Sequence, residues 1–383
     1  MPEAELLLWL LSGTSLRKSM PVRPLADHDI PQVADLYWTI SRERKGPTPL
    51  AVQQFLRELY FTNPWIDSSL PSLVYDEKGT IAGFLGVVPR RMSLRGEPVR
   101  IAFGGNFAVR PEFRNTLAGL HLLRTYMEAG QDLSQTDSAN DTSRALLERL
   151  GFTTILPLCV HWIRLLRPAR FVTYAMSQFT HSALLAALEV AAKPFCNVAD
   201  SVAVRFSSSP FRQNESHLEA AELDVETLLR CLAEFRGGYS LWPEYDEHSL
   251  RWLLNFMERM KGHGDALRRF VLRDGKGKIV GWYVYYVTAG GLAEVAQTGG
   301  ARQHLKSILD HLFHDAWSHG SIALHGVVDR RLMADFSEKN CLFTCRGGWT
   351  VAHSRKPDLL ELLNRGDAFL SRLDGEWCLA FGG

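Results

Sequence analysis

The stretch that decides the fold is Phe107-Ala-Val-Arg-Pro-Glu-Phe-Arg-Asn-Thr-Leu-Ala-Gly-Leu-His-Leu-Leu123. Its first three residues close an apolar run from Val99 that reads as a β-strand ending at Val109. Pro111 turns the chain, and Arg114 opens a loop of small or permissive residues. The loop runs straight into a helical pattern over Arg114–Ala129. Such a strand-loop-helix junction is an anion site. The first N–H groups of the helix have no intrahelical acceptor and point outward, and the helix dipole adds positive potential. The small side chains of Ala118 and Gly119 let a pyrophosphate approach the main chain. Plainer roles exist for the same residues. Arg114 also reads as a surface arginine at a helix start, and Gly119 as a residue that permits close helix packing.

Upstream, Val22–Leu25 reads as a short strand. Asp27 or Asp29 then caps a helix with Pro31 in its first turn. A second helix runs near Leu50–Tyr60. Leu73–Tyr75, the turn Asp76-Glu77-Lys78-Gly79 and Ile81–Val88 form a strand-turn-strand unit. Downstream, Asp132–Thr136 is a strand, Asn140–Leu150 a helix, and Phe152–Leu166 holds one or two closing strands. The order is β-α-α-β-β-β-α-β-α-β-β, a mixed α/β domain.

Part of this pattern returns. Placing Leu73–Val87 above Val271–Tyr285 brings Asp76, Lys78, Gly79, Ile81 and Gly83 onto Asp274, Lys276, Gly277, Ile279 and Gly281. Helical segments precede this second unit (Val225–Glu234, Glu247–Met260). A strand (Leu292–Thr298), a helix (Ala301–Ser318), a strand (Ser321–Val328) and a short helix (Arg331–Lys339) follow it. Repeated order around a repeated turn indicates duplication. The expected division is an N-terminal extension over 1–20, a first domain over 21–166, a helical linker over 167–215 and a second domain over 216–383. The linker ends in the loop signal Ser207-Ser208-Ser209-Pro210. The tail Leu359–Leu373 reads as helical, and Trp377–Phe381 as a last strand.

The segment Val109–Gly119 resembles the acyl-CoA-binding motif of the GNAT superfamily, V-x-P-x-x-R/Q-x-x-G-x-G/A. Val109, Pro111, Arg114 and Gly119 match, and Leu117 stands where the first glycine would be. Asn140-Asp-Thr-Ser-Arg-Ala-Leu-Leu-Glu-Arg-Leu-Gly151-Phe152 resembles the family's N-x-x-A-x-x-x-Y-E-x-x-G-F segment. Asn140, Glu148, Gly151 and Phe152 match, Ser143 replaces the alanine, and Leu147 replaces the tyrosine that often serves as general acid. The resemblance implies two tandem GNAT-like domains, the second degenerate. It implies an N-acyltransferase that moves an acyl group, acetyl being the simplest, from acyl-CoA to an amine. The fourth and fifth strands, Val99–Val109 and Asp132–Thr136, would splay to admit pantetheine. It assigns cofactor contacts to Phe107 and Val109 on the strand, to Arg114, Asn115, Leu117, Ala118 and Gly119 on the loop, and to Asn140, which also reads as an N-cap.

Such chemistry needs a group to deprotonate the amine and a donor for the leaving thiolate. Leu147 cannot donate a proton, and Val99–Val109 carries no carboxylate. The nearest candidate base is Asp137, just past the fifth strand, which equally reads as a helix cap. Glu294 on the corresponding strand of the second half comes next.

The rest of the sequence narrows the setting. With 383 residues, 46% hydrophobic and 22% charged, the chain is long and apolar enough for two cores. A net charge of +1 gives no global field for nucleic acid. The six cysteines form no C-x-x-C pair and read as free thiols of a reduced compartment, so a cytoplasmic location is expected. Leu6–Leu11 follows Glu3 and Glu5 and is too short for a signal peptide. Ala183–Ala192 is too short to span a bilayer. His304, His311 and His314 lack the glutamate of an H-E-x-x-H site, so no metal is expected. Two other readings compete: a CoA- or ligand-binding module without turnover, and a tRNA-dependent aminoacyl ligase of the peptidoglycan type. The acceptor, whether a small-molecule, sugar or protein amine, is not written in the sequence.

Overall fold

The computed structural model describes residues 21–179, 183–206, 209–345 and 348–382. The extension 1–20, with its apolar run Leu6–Leu11, lies outside the described residues, as does Ser207-Ser208 of the loop signal. The chain divides into two compact units. One comprises the residues up to Arg90 and Arg100–Thr136, the other Arg91–Val99 and the residues from Asp137 on. Each is built of helices with a mixed sheet, in line with the α/β expectation.

In the first unit the sheet order is β1 (Val22–Pro24), β2 (Leu73–Glu77), β3 (Thr80–Leu94), β4 (Glu97–Val109) and β5 (Leu133–Ala139). Helices α1 (Ile30–Leu36) and α2 (Leu50–Arg57) follow β1, and α3 (Ala118–Glu128) links β4 to β5. Helix α1 starts with Pro31 in its first turn, where a missing N–H costs nothing. It buries Ile30, Val33, Ala34 and Leu36. Asp29 does not cap this helix with its side chain. Its carboxylate takes both terminal nitrogens of Arg23, at 2.7 and 2.8 Å, and the Ala26 N–H at 2.9 Å. Helix α3 begins at Ala118 rather than Arg114, because Pro111–Phe113 first makes a 3-10 turn.

The second unit continues with α4 (Asp141–Arg149), β6 (Thr153–Thr154), α5 (Leu156–Cys159), β7 (His161–Leu165), α6 (Pro168–Phe179) and α7 (Ala183–Ala203). Then come β8 (Glu219–Glu222), α8 (Val225–Glu234), β9 (Leu241–Pro243), α9 (Glu247–Met260), β10 (Ala266–Arg273), β11 (Ile279–Val287) and β12 (Leu292–Gly300). The chain closes with α10 (Leu305–Ser318), β13 (Ala323–Val327), α11 (Met333–Glu338), β14 (Leu342–Thr344), β15 (Trp349–His353) and α12 (Pro357–Asn364). Its sheet runs β14-β7-β13-β12-β11-β10-β8. No helix among the described residues is long and apolar enough to cross a membrane.

The two hairpins aligned by sequence are built alike. Asp76 Oδ1 accepts the Gly79 N–H at 2.7 Å, and Asp274 Oδ1 accepts the N–H groups of Lys276 and Lys278 at 2.9 and 3.0 Å. Each hairpin leads to a parallel pair, β4 with β5 and β12 with β13.

Three expectations need correction. Strand β7, read as closing the first domain, pairs with β13 and β14 in the second unit's sheet. The reason is Trp162, which is 1% exposed and stacks on Phe336 with ring centroids 4.8 Å apart. Burying such a ring is worth on the order of 3 kcal/mol. The tail helix stops at Asn364, where Gly366 takes a positive φ of 66°. Trp377–Leu379 is a 3-10 turn rather than a strand; the last strand is β15, whose Val351 and Ala352 pair with β6.

Candidate active site

Strands β4 and β5 pair in parallel through Ile101↔Leu133, Ala102↔Ser134 and Phe103↔Gln135. There the register ends, while β4 runs on to Val109. The strands therefore part, as the resemblance implies. Two devices hold them apart. Asn106 takes a left-handed φ of 51°, a local departure from extended backbone within β4. Its Nδ2 donates to the Tyr60 hydroxyl at 2.8 Å. Tyr60 fits only because Gly86 on β3 has no Cβ, which would collide with that hydroxyl. The second device is Tyr126 on α3. Its hydroxyl donates to the Ala102 carbonyl at 2.5 Å and accepts the Gln135 N–H at 3.1 Å. A Cβ at Gly104 would press on the Tyr126 ring at 3.1–3.3 Å, so glycine makes the space for it.

Beyond the parting lies the loop. Leu117 holds the N-cap position of α3 at φ −81° and ψ 7°, with no side-chain cap. Those angles do not call for glycine, which explains why leucine is tolerated where the family motif has one. The Thr116 hydroxyl accepts the Ala118 N–H at 3.2 Å and donates to the Phe113 carbonyl at 2.7 Å. The N–H groups of Gly119 and Leu120 fall in the first helical turn, with no intrahelical acceptor. Arg114, Asn115 and Thr116 are exposed, and Ala118 is buried. A Cβ at Gly119 would sit 3.2 Å from Phe107 Cζ and 3.5 Å from Val109 Cγ2. Gly119 thus packs α3 onto β4 and keeps the main chain bare at the same point. Phe107, Val109, Arg114, Asn115, Leu117, Ala118 and Gly119 form one continuous strand-loop-helix surface.

In the second unit, Asn140 is the N-cap of α4, with its Oδ1 accepting the Ser143 N–H at 2.8 Å. That settles the capping question for Asp137. Asp137 lies inside β5 rather than after it, and it does not cap α4. Its carboxylate is bound instead by the backbone N–H groups of Glu376 and Trp377. A Cβ at Gly375 would collide with Oδ2, so this turn is shaped around the carboxylate. Oδ1 is buried and has no hydrogen-bond partner. Burial raises the carboxyl to about 6, against the pull of Arg372 and of those two N–H groups. Leu147, in the tyrosine position, is buried at 6% exposure.

The second parallel pair parts like the first. Its register runs from Leu292↔Ala323 to Glu294↔His325, and β12 continues to Gly300. Here the opening is filled by the chain itself. The Arg372 N–H donates to the Ala296 carbonyl at 3.1 Å, and Gln297 Nε2 donates to Ser371 Oγ at 3.0 Å. A cavity of about 60 Å³ remains beside them, lined in part by Trp162, Phe336 and Phe369. At the last rung Glu294 meets His325 Nε2 at 3.1 Å, Arg372 Nη1 at 2.7 Å and His263 Nδ1 at 3.5 Å. Burial alone would raise Glu294; His325, Arg372 and His263 overcome it and hold the carboxyl at about 2. Buried His161, with Arg372 and His325 nearby, is pushed down to about 4.

Residues 30–152 match the model of the acetyltransferase (GNAT) family. The chain carries a GNAT domain. The match spans both motifs, from α1 to Phe152. No curated protein is similar enough in sequence to count as a relative. Among solved structures, a GCN5-related N-acetyltransferase from Anabaena variabilis matches with a TM-score of 0.55 at 11% identity, over 88% of this chain and 73% of that one. An Enterococcus faecalis protein described as a probable N-acyltransferase matches at 0.54 and 12% identity, over 87% and 72%. Saccharomyces cerevisiae N-myristoyltransferase, solved with myristoyl-CoA and inhibitors, matches at 0.50 and 9% identity, over 88% and 80%. At such identities these likenesses speak for the fold. Residues 30–152 thus match an acetyltransferase family, within a fold shared with N-acetyltransferases.

Tyr126, Asn106 and Tyr60 are the site residues that sequence reasoning missed. The signal was present in Gly104-Gly105-Asn106, three strand-poor residues inside a strand, a pattern that marks irregular backbone or close approach.

Proposed function

We propose that the GNAT domain takes its acyl group from acyl-CoA, with acetyl-CoA the simplest donor, and passes it to an amine. Pantetheine lies along the free edge of β4 past Phe103, and the diphosphate sits on Arg114–Gly119. The observation that carries this reading is the uncapped start of α3 directly beyond the parted strands, with Gly119 bare. A helix start without a side-chain cap leaves donors for a phosphate oxygen. Asn115, Leu117 and Ala118 contribute main chain to the cradle, and Phe107 and Val109 form its floor. Asn140 enters through the capped start of α4.

In the reaction, the amine nitrogen bonds to the thioester carbonyl carbon, the C–S bond breaks, and CoA leaves as the thiol. The amine sheds one proton to a base, and that proton passes on, directly or through water, to the departing sulfur. Asp137 is the base in this proposal. Its carboxyl at about 6 is charged at neutral pH yet basic enough to accept a proton, and Oδ1 is unclaimed. The second unit binds no CoA, because residues 371–372 already occupy its strand edge. The reading requires no metal and no nucleic acid, and it suits a cytoplasmic protein.

The donor panel should run from acetyl-CoA to myristoyl-CoA, the ligand of the yeast structure of like fold. The test is thiol release from this panel in the presence of small, sugar and peptide amines. Release that depends on both partners supports the proposal; CoA binding without release from any pair would favour the non-catalytic reading, which the buried Leu147 also suits.

A further inference from the structure

The second unit contains a polar cavity that the acyl-transfer reading does not use. It has a volume of about 260 Å³ and lies among β7, α10, the 209–214 loop and the turn after α11. Arg164 on β7 forms part of its wall and is only 5% exposed. Its Nε has no hydrogen-bond partner, and its Nη2 reaches the Arg212 carbonyl at a long 3.4 Å. The guanidinium stands 5.6 Å from the Phe313 ring centre.

The acids of the same wall are already committed. Asp310 receives the Lys339 ammonium on both oxygens, at 2.7 and 2.6 Å, and Glu338 holds Lys306 at 2.5 Å. Among the described residues no carboxylate pairs with Arg164. A buried guanidinium without a counter-charge is costly, and native proteins rarely keep one without a use. Burial pulls its pKa down, with Cys341 and Asp310 pushing the other way. Arg212, exposed on the rim, adds a second positive charge to the mouth.

We propose that this cavity binds a small oxyanion, a carboxylate or phosphate, whose charge is met by Arg164 and steered by Arg212. The volume lies just below the roughly 300–1,000 Å³ of ordinary small-molecule pockets, which favours a compact ligand over a nucleotide. A planar, forked guanidinium suits two oxygens of one carboxylate or phosphate. Lys339 and Asp310 act as an internally neutral wall that adds polarity without adding net charge.

The test is a thermal-shift and calorimetric titration of the full chain with inorganic phosphate and with succinate, against chloride at matched ionic strength. The expected result is a saturable rise in melting temperature with phosphate or succinate that chloride does not give. A response to one alone assigns the ligand to phosphates or to carboxylates. Arg164→Met should remove the response while leaving the ligand-free melting temperature unchanged or higher, because it deletes an unpaired buried charge. Arg212→Ser, an exposed change that cannot unfold the chain, should weaken binding about threefold to tenfold. No response to either anion beyond that to chloride, or the same response in Arg164→Met, would overturn the assignment.

Discussion

The Tyr126 hydroxyl lies 2.5 Å from the carbonyl oxygen of Ala102, at the point where β4 leaves β5. It also takes the Gln135 N–H from the opposite strand. One side chain from the crossover helix thus bonds to both strands at the end of their ladder. The backbone groups that separation would leave bare are satisfied, and the strands are held at a fixed spacing. Further along β4, Asn106 keeps its left-handed φ with its amide tied to the Tyr60 hydroxyl.

Removing that hydroxyl should be felt twice. Tyr126→Phe leaves a buried carbonyl and a buried N–H without their partner, at a cost of about 1–3 kcal/mol. It should also loosen the edge on which pantetheine lies, raising KM for acyl-CoA more than it lowers kcat. A melting curve and a donor titration check both. An unchanged KM in a destabilised protein would make Tyr126 purely structural.

Arg114 is exposed, and among the described residues its one hydrogen bond is a long 3.5 Å contact with the Val109 carbonyl. Arg114→Glu should therefore leave stability within about 0.5 kcal/mol while weakening acyl-CoA at least tenfold, about 1.4 kcal/mol. Gly119→Ala is a useful contrast. Its new methyl presses on Phe107 and Val109, so stability should fall by about 1 kcal/mol or more along with affinity. Equal donor affinity in Arg114→Glu and wild type would remove the loop from the site.

If Asp137 is the base, turnover should rise with pH through about 6 and level off above it, since only the carboxylate accepts a proton. Stability should run the other way. The folded carboxyl holds its proton to a higher pH than the unfolded one, so this group favours the fold less as pH climbs from about 4 to about 6. Asp137→Asn can still accept the Glu376 and Trp377 N–H groups through its amide oxygen. It should fold, lose on the order of a hundredfold in turnover and lose the acid limb of the profile. A variant that keeps the limb would exonerate Asp137.

Glu294 gives a structural prediction. It is the partner of Arg372, whose side chain is 11% exposed. Glu294→Gln would strand that charge and should destabilise the second unit by about 3 kcal/mol. Because the folded carboxyl is depressed to about 2, its contribution is present above pH 4.5 and fades as pH falls toward 2. The melting-temperature gap between wild type and variant should shrink over that window. A gap constant with pH would mean that the ion pair contributes nothing.

Much of this was legible in the sequence. The strand ending at Val109, the helix after it and the Asp76 and Asp274 turns follow from local pattern and turn chemistry, and both motifs fall inside the family match. What escaped was non-local. That β7 joins the second sheet depends on Trp162 meeting Phe336, more than 170 residues away in the chain. That Asp137 sits inside a strand and against the Gly375–Trp377 turn depends on a tail that reads locally as helix and strand. Tyr126 was hidden because a helical tyrosine carries no sign of the carbonyl it will meet.

The central claim is that one acyl-CoA binds the parted β4 edge and the Arg114–Gly119 loop, while the second unit's opening is closed by residues 371–372. The most direct measurement is calorimetric titration of wild type and Arg114→Glu with acetyl-CoA and myristoyl-CoA. The account predicts saturable binding of at least one of them at one site per chain, weakened tenfold or more by Arg114→Glu. No binding of either, two equivalent sites per chain, or an Arg114→Glu isotherm that overlays wild type would contradict it.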